Sequence, residues 1–441
     1  MTAHFRRHRC LIACLCMVLL AGSALAQQPA ALPEPLTVDQ AVAFALAHNP
    51  AIISAEQNVR IAQSQVRSAQ ANRLPNVNLS VNGTYNPSPP STTFGDTTIQ
   101  LGQTFSSNLG LVAAQPVWPS TRWKAPVASA QANVGLNAEA LQRTRQQVVY
   151  QTRQSFYQVL GSQQLVEVAK DSVQASKTQL RLAESTVAAG LAAPLDVFQA
   201  QAVLSEAEVN LARAQNALDL SRAVLVNQLG LPASTPVEIK TPDGLPEVPA
   251  DIDALTQTAL KQRPELAQLH YRREQLKATI ALIRLQQQPL VNVQGNYSQN
   301  LNGESVLGTS GVPFGAGVGL SLYNGGRTKA ELEAARTQLA QFDTTTQQVE
   351  LGITLEVRQA YLGLQNAMEQ LVSAEAGLKA ANEAQRIAQI RYENGEGIIL
   401  EVDQARVRRT QAQTALAQAR FQAQVSAAQL AFALGEPVAA E

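Results

Sequence analysis

Hydrophobic positions recur every seven residues through the middle of this chain. Val159, Val166, Val173, Leu180 and Val187 form one series, with Ala169, Ser176 and Ala183 three places after its middle members. Past a break near Gly190–Asp196 the series resumes as Val197, Leu204, Leu211, Leu218 and Leu225, with Ala200, Ala207, Ala214 and Ser221 three places on. A sustained seven-residue repeat predicts long helices wound in a left-handed supercoil. A large residue alternating with Ala or Ser lets a neighbouring helix approach closely. The stretch Leu141–Leu225 therefore predicts a helical hairpin. An unbroken helix from about Ser120 to Val187 would be roughly 100 Å long, more than an ordinary globular domain needs.

Elsewhere the period changes from helical to two. Val77, Leu79, Val81 and Tyr85 alternate with Asn76, Asn78, Ser80, Asn82 and Thr84. Val291, Val293 and Tyr297 alternate with Asn292, Gln294, Asn296 and Ser298, while Leu109, Leu111, Ala113 and Val117 share one face of another segment. Ala316, Val318, Leu320 and Leu322 do the same against Gly315, Gly317, Gly319 and Ser321. Four strands are predicted, at about 76–85, 105–118, 291–300 and 312–323. One apolar and one polar face over about ten residues is the pattern of a membrane β-strand. The polar face carries Asn, Ser, Gln and Gly instead of Lys and Glu, which suits a water-filled lumen better than a half-buried soluble hairpin. Trp118, Phe314 and Tyr323 fit an aromatic girdle. The polar, turn-rich loops Asn86–Gln103 and Leu301–Gly311 then face outward.

The chain is written twice. Ala45-Leu46 and Asn49-Pro50 recur as Ala259-Leu260 and Arg263-Pro264, and one constant offset also carries Pro75 to Pro289 and Asn78 to Asn292. After a shorter middle, a second constant offset carries Arg153-Gln154 to Arg358-Gln359, Phe156 to Tyr361, Gly190 to Gly395, and Leu229-Gly230 to Leu434-Gly435. One register held over so many positions marks an internal duplication. The repeats are expected at 27–232 and 233–441, joined by the Pro-, Thr- and Asp-rich linker Pro232–Pro249. Each begins with a short helix (about Val38–Ala47 or Ile252–Lys261). A second helix starts at Pro50 or Pro264 and is stopped by Pro75 or Pro289. The hairpins are expected at about 120–229 and 328–434. The second repeats the heptads with Leu364, Leu371 and Leu378, and with Ala367, Ala374 and Ala381.

Composition narrows the function. Lys+Arg and Asp+Glu balance to a formal net charge of +0, leaving no electrostatic footprint for nucleic acid. Aromatics make up 5% of the 441 residues, and much of the 45% hydrophobic content is Ala, which suits helices packed through small residues. Residues 1–26 read as a secretory signal: Arg6, Arg7 and Arg9, an apolar run from Leu11, then Ser23-Ala24-Leu25-Ala26 as a small-x-small cleavage site. The three cysteines, Cys10, Cys14 and Cys16, leave with it, so neither a disulfide nor a thiolate metal site is expected in the mature chain. His48 and His270 stand far apart without patterned partners, and no nucleophile elbow or phosphate loop occurs in a convincing context. No enzyme activity, cofactor or metal is expected.

Four strands cannot close a barrel, and lipid does not tolerate open strand edges. Copies of the chain must share strands. At this point the chain resembles the TolC-type outer-membrane efflux and secretion channels of Gram-negative bacteria. The resemblance rests on the duplicated helix–strand–strand–helix plan, the Asn49-Pro50 and Arg263-Pro264 starts, Gly325-Gly326-Arg327 after the fourth strand, and the tip motifs Gly190-x5-Asp196-Val197 and Tyr392-x-x-Gly395-x5-Glu401-Val402. It covers nearly all of the mature chain. It implies a mainly α protein with transmembrane β: a homotrimer whose twelve-stranded outer-membrane barrel continues into a tube of twelve helices across the periplasm. It also implies a periplasmic adaptor at the helical tips and, through it, an inner-membrane pump. This chain would then be a passive exit duct.

The family's site residues carry over only in part. Carboxylates starting the last helix form a ring at its periplasmic constriction. Glu401 matches the first; Gln404 replaces the second, with Asp403 one place early. Repeated three times in a trimer, even one carboxylate makes a negative ring favouring cations. A carboxylate there also simply favours a helix N-terminus. The Tyr and Asp of the closed-state network match Tyr392 and Asp196, but the Arg that usually joins them is Gly397 here, implying a weaker or differently built lock. The turns at Gly190 and Gly395 resemble the adaptor-docking grooves, although glycine also ends helices for conformational reasons.

Drug or small-molecule efflux is the expected cargo class, with type I protein secretion through the same architecture as the alternative. A trimeric coiled-coil surface protein or a periplasmic adaptor are readings of another class. Both fit poorly with two strand-bearing repeats in one chain.

Overall fold

A computed structural model describes residues 35–100, 104–190, 193–242, 244–301, 312–394 and 396–436. The expected signal at 1–26, most of the loop 301–311, and Gly395 lie outside the described residues.

The elements run α1 (Val38–His48), α2 (Pro50–Ala71), β1 (Asn76–Tyr85), β2 (Ser91–Phe94), β3 (Thr97–Gln100), β4 (Phe105–Trp118), α3 (Thr121–Ala188) and α4 (Pro194–Gln228). They continue with α5 (Ile252–Gln262), α6 (Pro264–Leu285), β5 (Leu290–Asn300), β6 (Phe314–Gly319), α7 (Arg327–Glu393) and α8 (Ile399–Leu434). The fold is mostly helical, with a four-stranded sheet and a separate two-stranded one among the described residues.

The longest helices, α3 and α7, have 68 and 67 residues. At the α-helical rise each is about 100 Å long. The heptad positions face inward: Val159, Val166 and Val173 are buried in α3, Leu218 and Leu225 in α4, and Leu364 and Leu371 in α7. The small partners Ser176, Ala183, Ala200, Ala207 and Ala367 are buried beside them. α3 pairs with α4 and α7 with α8, and α3 also packs against α1, α2, α6 and α8.

The shorter helices are stacked end to end. The Asn49 side chain caps α2 by accepting from the Ala51 N–H at 2.9 Å, and it donates to the Gln228 carbonyl at the end of α4 at 2.8 Å. One side chain thus joins the carbonyl end of one helix to the amide end of the next, where the helix dipoles attract. Gly230 makes the junction possible. Its φ is +79°, and a Cβ there would lie 2.7 Å from the His48 carbonyl oxygen. In the second half Arg263 stands in Asn49's place, against Gly435, and its guanidinium pairs with Glu356 at 2.6 Å.

The core lies at these junctions. Leu36, Ile52, Phe156, Val159, Leu225 and Leu229 form one cluster and Ile353, Val357, Leu364, Leu430 and Leu434 a second, with Ala367, Leu371, Ala419 and Ala423 a smaller third along α7 and α8. Fully burying each such side chain contributes about 1.5–3 kcal/mol. The inter-repeat segment is pinned to this region by a parallel bridge, with the Leu36 N–H donating to the Glu238 carbonyl at 2.8 Å and the Lys240 N–H to the Leu36 carbonyl at 2.9 Å.

The main sheet has the order β1-β4-β5-β6, antiparallel throughout. Its register aligns most of the alternating apolar residues, but a shift in β4 between Pro116 and Trp118 sets Trp118 opposite Val291 and takes Val117 out of the expected alignment. Leu79 faces Leu111, Leu111 faces Tyr297, and Val291 faces Val318. Two further observations depart from the sequence pattern. The loop after β1 contains a second hairpin, β2–β3, turning at Gly95-Asp96 with φ +63° at Gly95. β6 ends at Gly319, short of Leu320 and Leu322, because its partner β5 begins at Leu290 opposite Gly319 and offers no ladder beyond.

Candidate functional site

The candidate residues gather at the two hairpin turns, at the far end of α3 and α7 from the sheet. The first turn follows Ala189. Gly190 adopts φ +73°, its N–H donates to the Val187 carbonyl at 2.9 Å, and no heavy atom lies within 4 Å of where a Cβ would stand. Pro194 opens α4 and Asp196 sits in its first turn, a favourable place for a carboxylate. Leu195 and Phe198 are exposed beside it.

The second turn is built on Arg391. Its carbonyl accepts from the Glu396 N–H at 2.8 Å and from the Gly397 N–H at 3.1 Å. Its guanidinium Nη2 donates to the Glu396 carbonyl at 3.3 Å, and Nη1 lies 3.3 Å from the Glu401 carboxylate. Glu401 is in the first turn of α8, so it stands at the positive end of the helix dipole as well as against the guanidinium.

Asp403 lies 3.3 Å from Nη2 of Arg406, one turn along α8. Arg406 is buried and its Nη1 donates to the buried Ser176 hydroxyl of α3 at 3.1 Å. Burial pushes the Asp403 carboxyl above its ordinary value, and the attraction of Arg406 offsets this only in part. The partial desolvation of the carboxylate therefore outweighs its ion pair.

Glu401 and Asp403 thus each carry an arginine partner, and both arginines escaped the sequence reading. Arg406 had a legible signal, an acid–base spacing of three on a helix. Arg391 had none, since its contact with Glu401 depends on how the turn folds back. Tyr392 and Asp196 share no hydrogen bond among the described residues. Gln404 is exposed.

At the opposite end, the sheet presents one continuous apolar face. Leu79 is 68% and Phe314 80% exposed, with Val77, Val81, Tyr85, Leu111 and Val318 also exposed on the same side. Among the described residues no helix is long and apolar enough to cross a membrane. The strands carry the apolar residues of all these positions on one face of the sheet.

A membrane-type half-sheet joined to helical hairpins about 100 Å long defines a class of outer-membrane protein. The profile of the family described as "Outer membrane efflux protein" matches residues 42–231 and again 255–436. The chain belongs to the outer membrane efflux protein family, and its place is the outer membrane. It is 25% identical over 379 residues to the outer membrane efflux protein BepC of Brucella suis, covering 85% of this chain and 77% of BepC. The fold is that of the outer-membrane channel OprN, with a TM-score of 0.76 and 20% identity over 90% of this chain and 89% of OprN. The CmeC outer membrane channel of Campylobacter jejuni gives 0.77 at 17% identity, over 90% of this chain and 85% of CmeC.

Proposed function

We propose that this protein is the exit duct of a tripartite efflux system, acting as a homotrimer. The observation that carries the proposal is the four-stranded sheet itself. Its apolar face suits lipid, yet the outer edges of β1 and β6 are unpaired among the described residues. Lipid does not tolerate such edges, and barrels need about eight strands or more. Three copies pairing β6 of one with β1 of the next close a twelve-stranded barrel. The hairpins of the same three copies make a twelve-helix tube through the periplasm. Residues 1–26 are removed on export, and the two repeats, 27–232 and 233–441, supply equivalent walls.

The tube ends at the hairpin turns. Glu401 and Asp403, with Tyr392 and Asp196 nearby, line its constriction. The turns at Gly190 and Gly395 receive a periplasmic adaptor, which couples the duct to an inner-membrane pump. Exposed Leu195, Phe198, Ile398 and Leu400 at these turns offer apolar area for that contact. The duct performs no chemistry. It opens when adaptor contacts favour an outward tilt of the inner hairpin, and small molecules pass through it.

The native mass of the signal-cleaved protein, extracted from outer membrane in mild detergent and corrected for bound detergent, tests the proposal. A trimer that conducts ions in a planar bilayer is expected. A stable monomer, or recovery without detergent, would overturn it.

A further inference from the structure

Two features of the α7–α8 turn take no part in the reading above. Arg391 is held over the turn by three hydrogen bonds: two to its carbonyl from the Glu396 and Gly397 amides, and one from its Nη2 to the Glu396 carbonyl. This places Nη1 3.3 Å from the Glu401 carboxylate. Gly397 leaves room for that arrangement. A Cβ there would lie 3.3 Å from the Arg391 Cβ and 3.3 Å from the Tyr392 nitrogen, tighter than ordinary van der Waals contact.

We infer that Arg391 sets the ion selectivity of the constriction by standing against Glu401 and making that ring electroneutral. The inference rests on the proposed place of Glu401 at the constriction. A ring of lone carboxylates attracts cations through the sum of its charges. A guanidinium 3.3 Å from each carboxylate turns each charge into a dipole. A dipole's potential falls with the square of distance, and salt screens what remains within about 10 Å at 0.1 M. Asp403 is matched in the same way by Arg406. Of the carboxylates at the constriction, Glu401 and Asp403 are therefore each matched by a guanidinium. The Arg391–Glu401 pair is half-exposed, so it contributes little to stability. Removing Arg391 changes the field and leaves the hairpin folded.

The test is the reversal potential of single trimers in a potassium chloride gradient across a planar bilayer. It compares wild type with Arg391→Gln, Arg391→Met, Glu401→Gln and the double variant Arg391→Gln/Glu401→Gln. Native mass checks assembly of each. Either Arg391 variant is expected to raise the potassium-to-chloride permeability ratio by roughly threefold or more, Glu401→Gln to lower it, and the double variant to return it to the wild-type value. If Glu401→Gln shifts the ratio and both Arg391 variants leave it unchanged, Arg391 is not felt and the inference falls while the constriction stands. If no variant shifts it, Glu401 does not line the constriction and the underlying reading falls. If neither Arg391 variant assembles, Arg391 is a structural residue and the inference is overturned.

Discussion

Arg406 of α8 donates from Nη1 to the hydroxyl of Ser176 in α3 over 3.1 Å, although 230 positions separate them in the chain. The guanidinium also pairs with Asp403. One buried side chain thus ties the last helix to the first long helix near the hairpin tips. Arg406→Ala leaves a half-buried carboxylate and a buried hydroxyl without their partner, at a cost of about 2 kcal/mol. Ser176→Ala removes only the acceptor and costs less. The thermal denaturation midpoints of the purified proteins check the order: wild type highest, then Ser176→Ala, then Arg406→Ala. Asp403→Asn added to Arg406→Ala recovers part of the loss.

The raised Asp403 carboxyl gives a pH dependence of definite sign. The folded protein holds this proton to higher pH than the unfolded chain, whose carboxyl has the ordinary value of 3.8. Stability then falls as pH rises from the unfolded value through the higher folded one, because the folded state binds more protons in that window. Below it the group makes no difference, and above it the loss is complete. Asp403→Asn mimics the protonated form, so its denaturation midpoint relative to wild type should climb with pH through the acid range and then level off. A constant difference across that range would show that burial does not dominate at Asp403.

Gly190 and Gly230 have similar backbone angles, +73° and +79°, in different surroundings. A Cβ at Gly190 meets nothing within 4 Å, whereas one at Gly230 would lie 2.7 Å from the His48 carbonyl oxygen. Gly190→Ala should cost only the left-handed penalty, about 1 kcal/mol. Gly230→Ala adds a backbone clash at the α4–α2 junction and should reduce trimer yield from membranes as well as the denaturation midpoint. A loss of efflux in Gly190→Ala with the trimer yield from membranes unchanged would report on adaptor docking at that turn.

Leu79 and Asn78 are neighbours on opposite faces of β1. Leu79 aligns with Leu111 on the apolar face, while Asn78 lies among Asn76, Ser80 and Asn82 on the other. A lysine on the lipid face of a barrel costs about 2–4 kcal/mol near mid-membrane, and one facing the lumen costs little. Leu79→Lys should therefore lower the amount of protein in the outer membrane, and Asn78→Lys should insert normally and alter conductance. Quantifying both variants in purified outer membranes decides which face meets lipid.

Much of the local architecture was legible because it depends on period. The heptads of α3 put Val159, Val166 and Val173 on one face, and the alternation through Val77, Leu79 and Val81 put those residues on another. Helix and strand geometry convert spacing directly into facing. The prolines at 50 and 264 open helices for an equally local reason, since each sits where the missing N–H has no partner to lose. At the site, the carboxylate Glu401 was legible as the acidic start of the last helix.

Tertiary structure decided what lies between distant segments. Spacing within the sequence could not reveal that β4 and β5, from different halves of the chain, are neighbours in the sheet, nor that β6 stops at Gly319 where β5 no longer supplies a ladder. It could not show the β2–β3 hairpin inside a loop whose composition reads only as turns. Nor could it show that Arg391 folds back onto Glu401, or that Arg406 reaches Ser176. The physical reason is the same in each case. A residue's period fixes which way it faces, but its partner is fixed by how separate elements come together, and a turn's closure or a helix–helix contact carries no periodic signal along the chain.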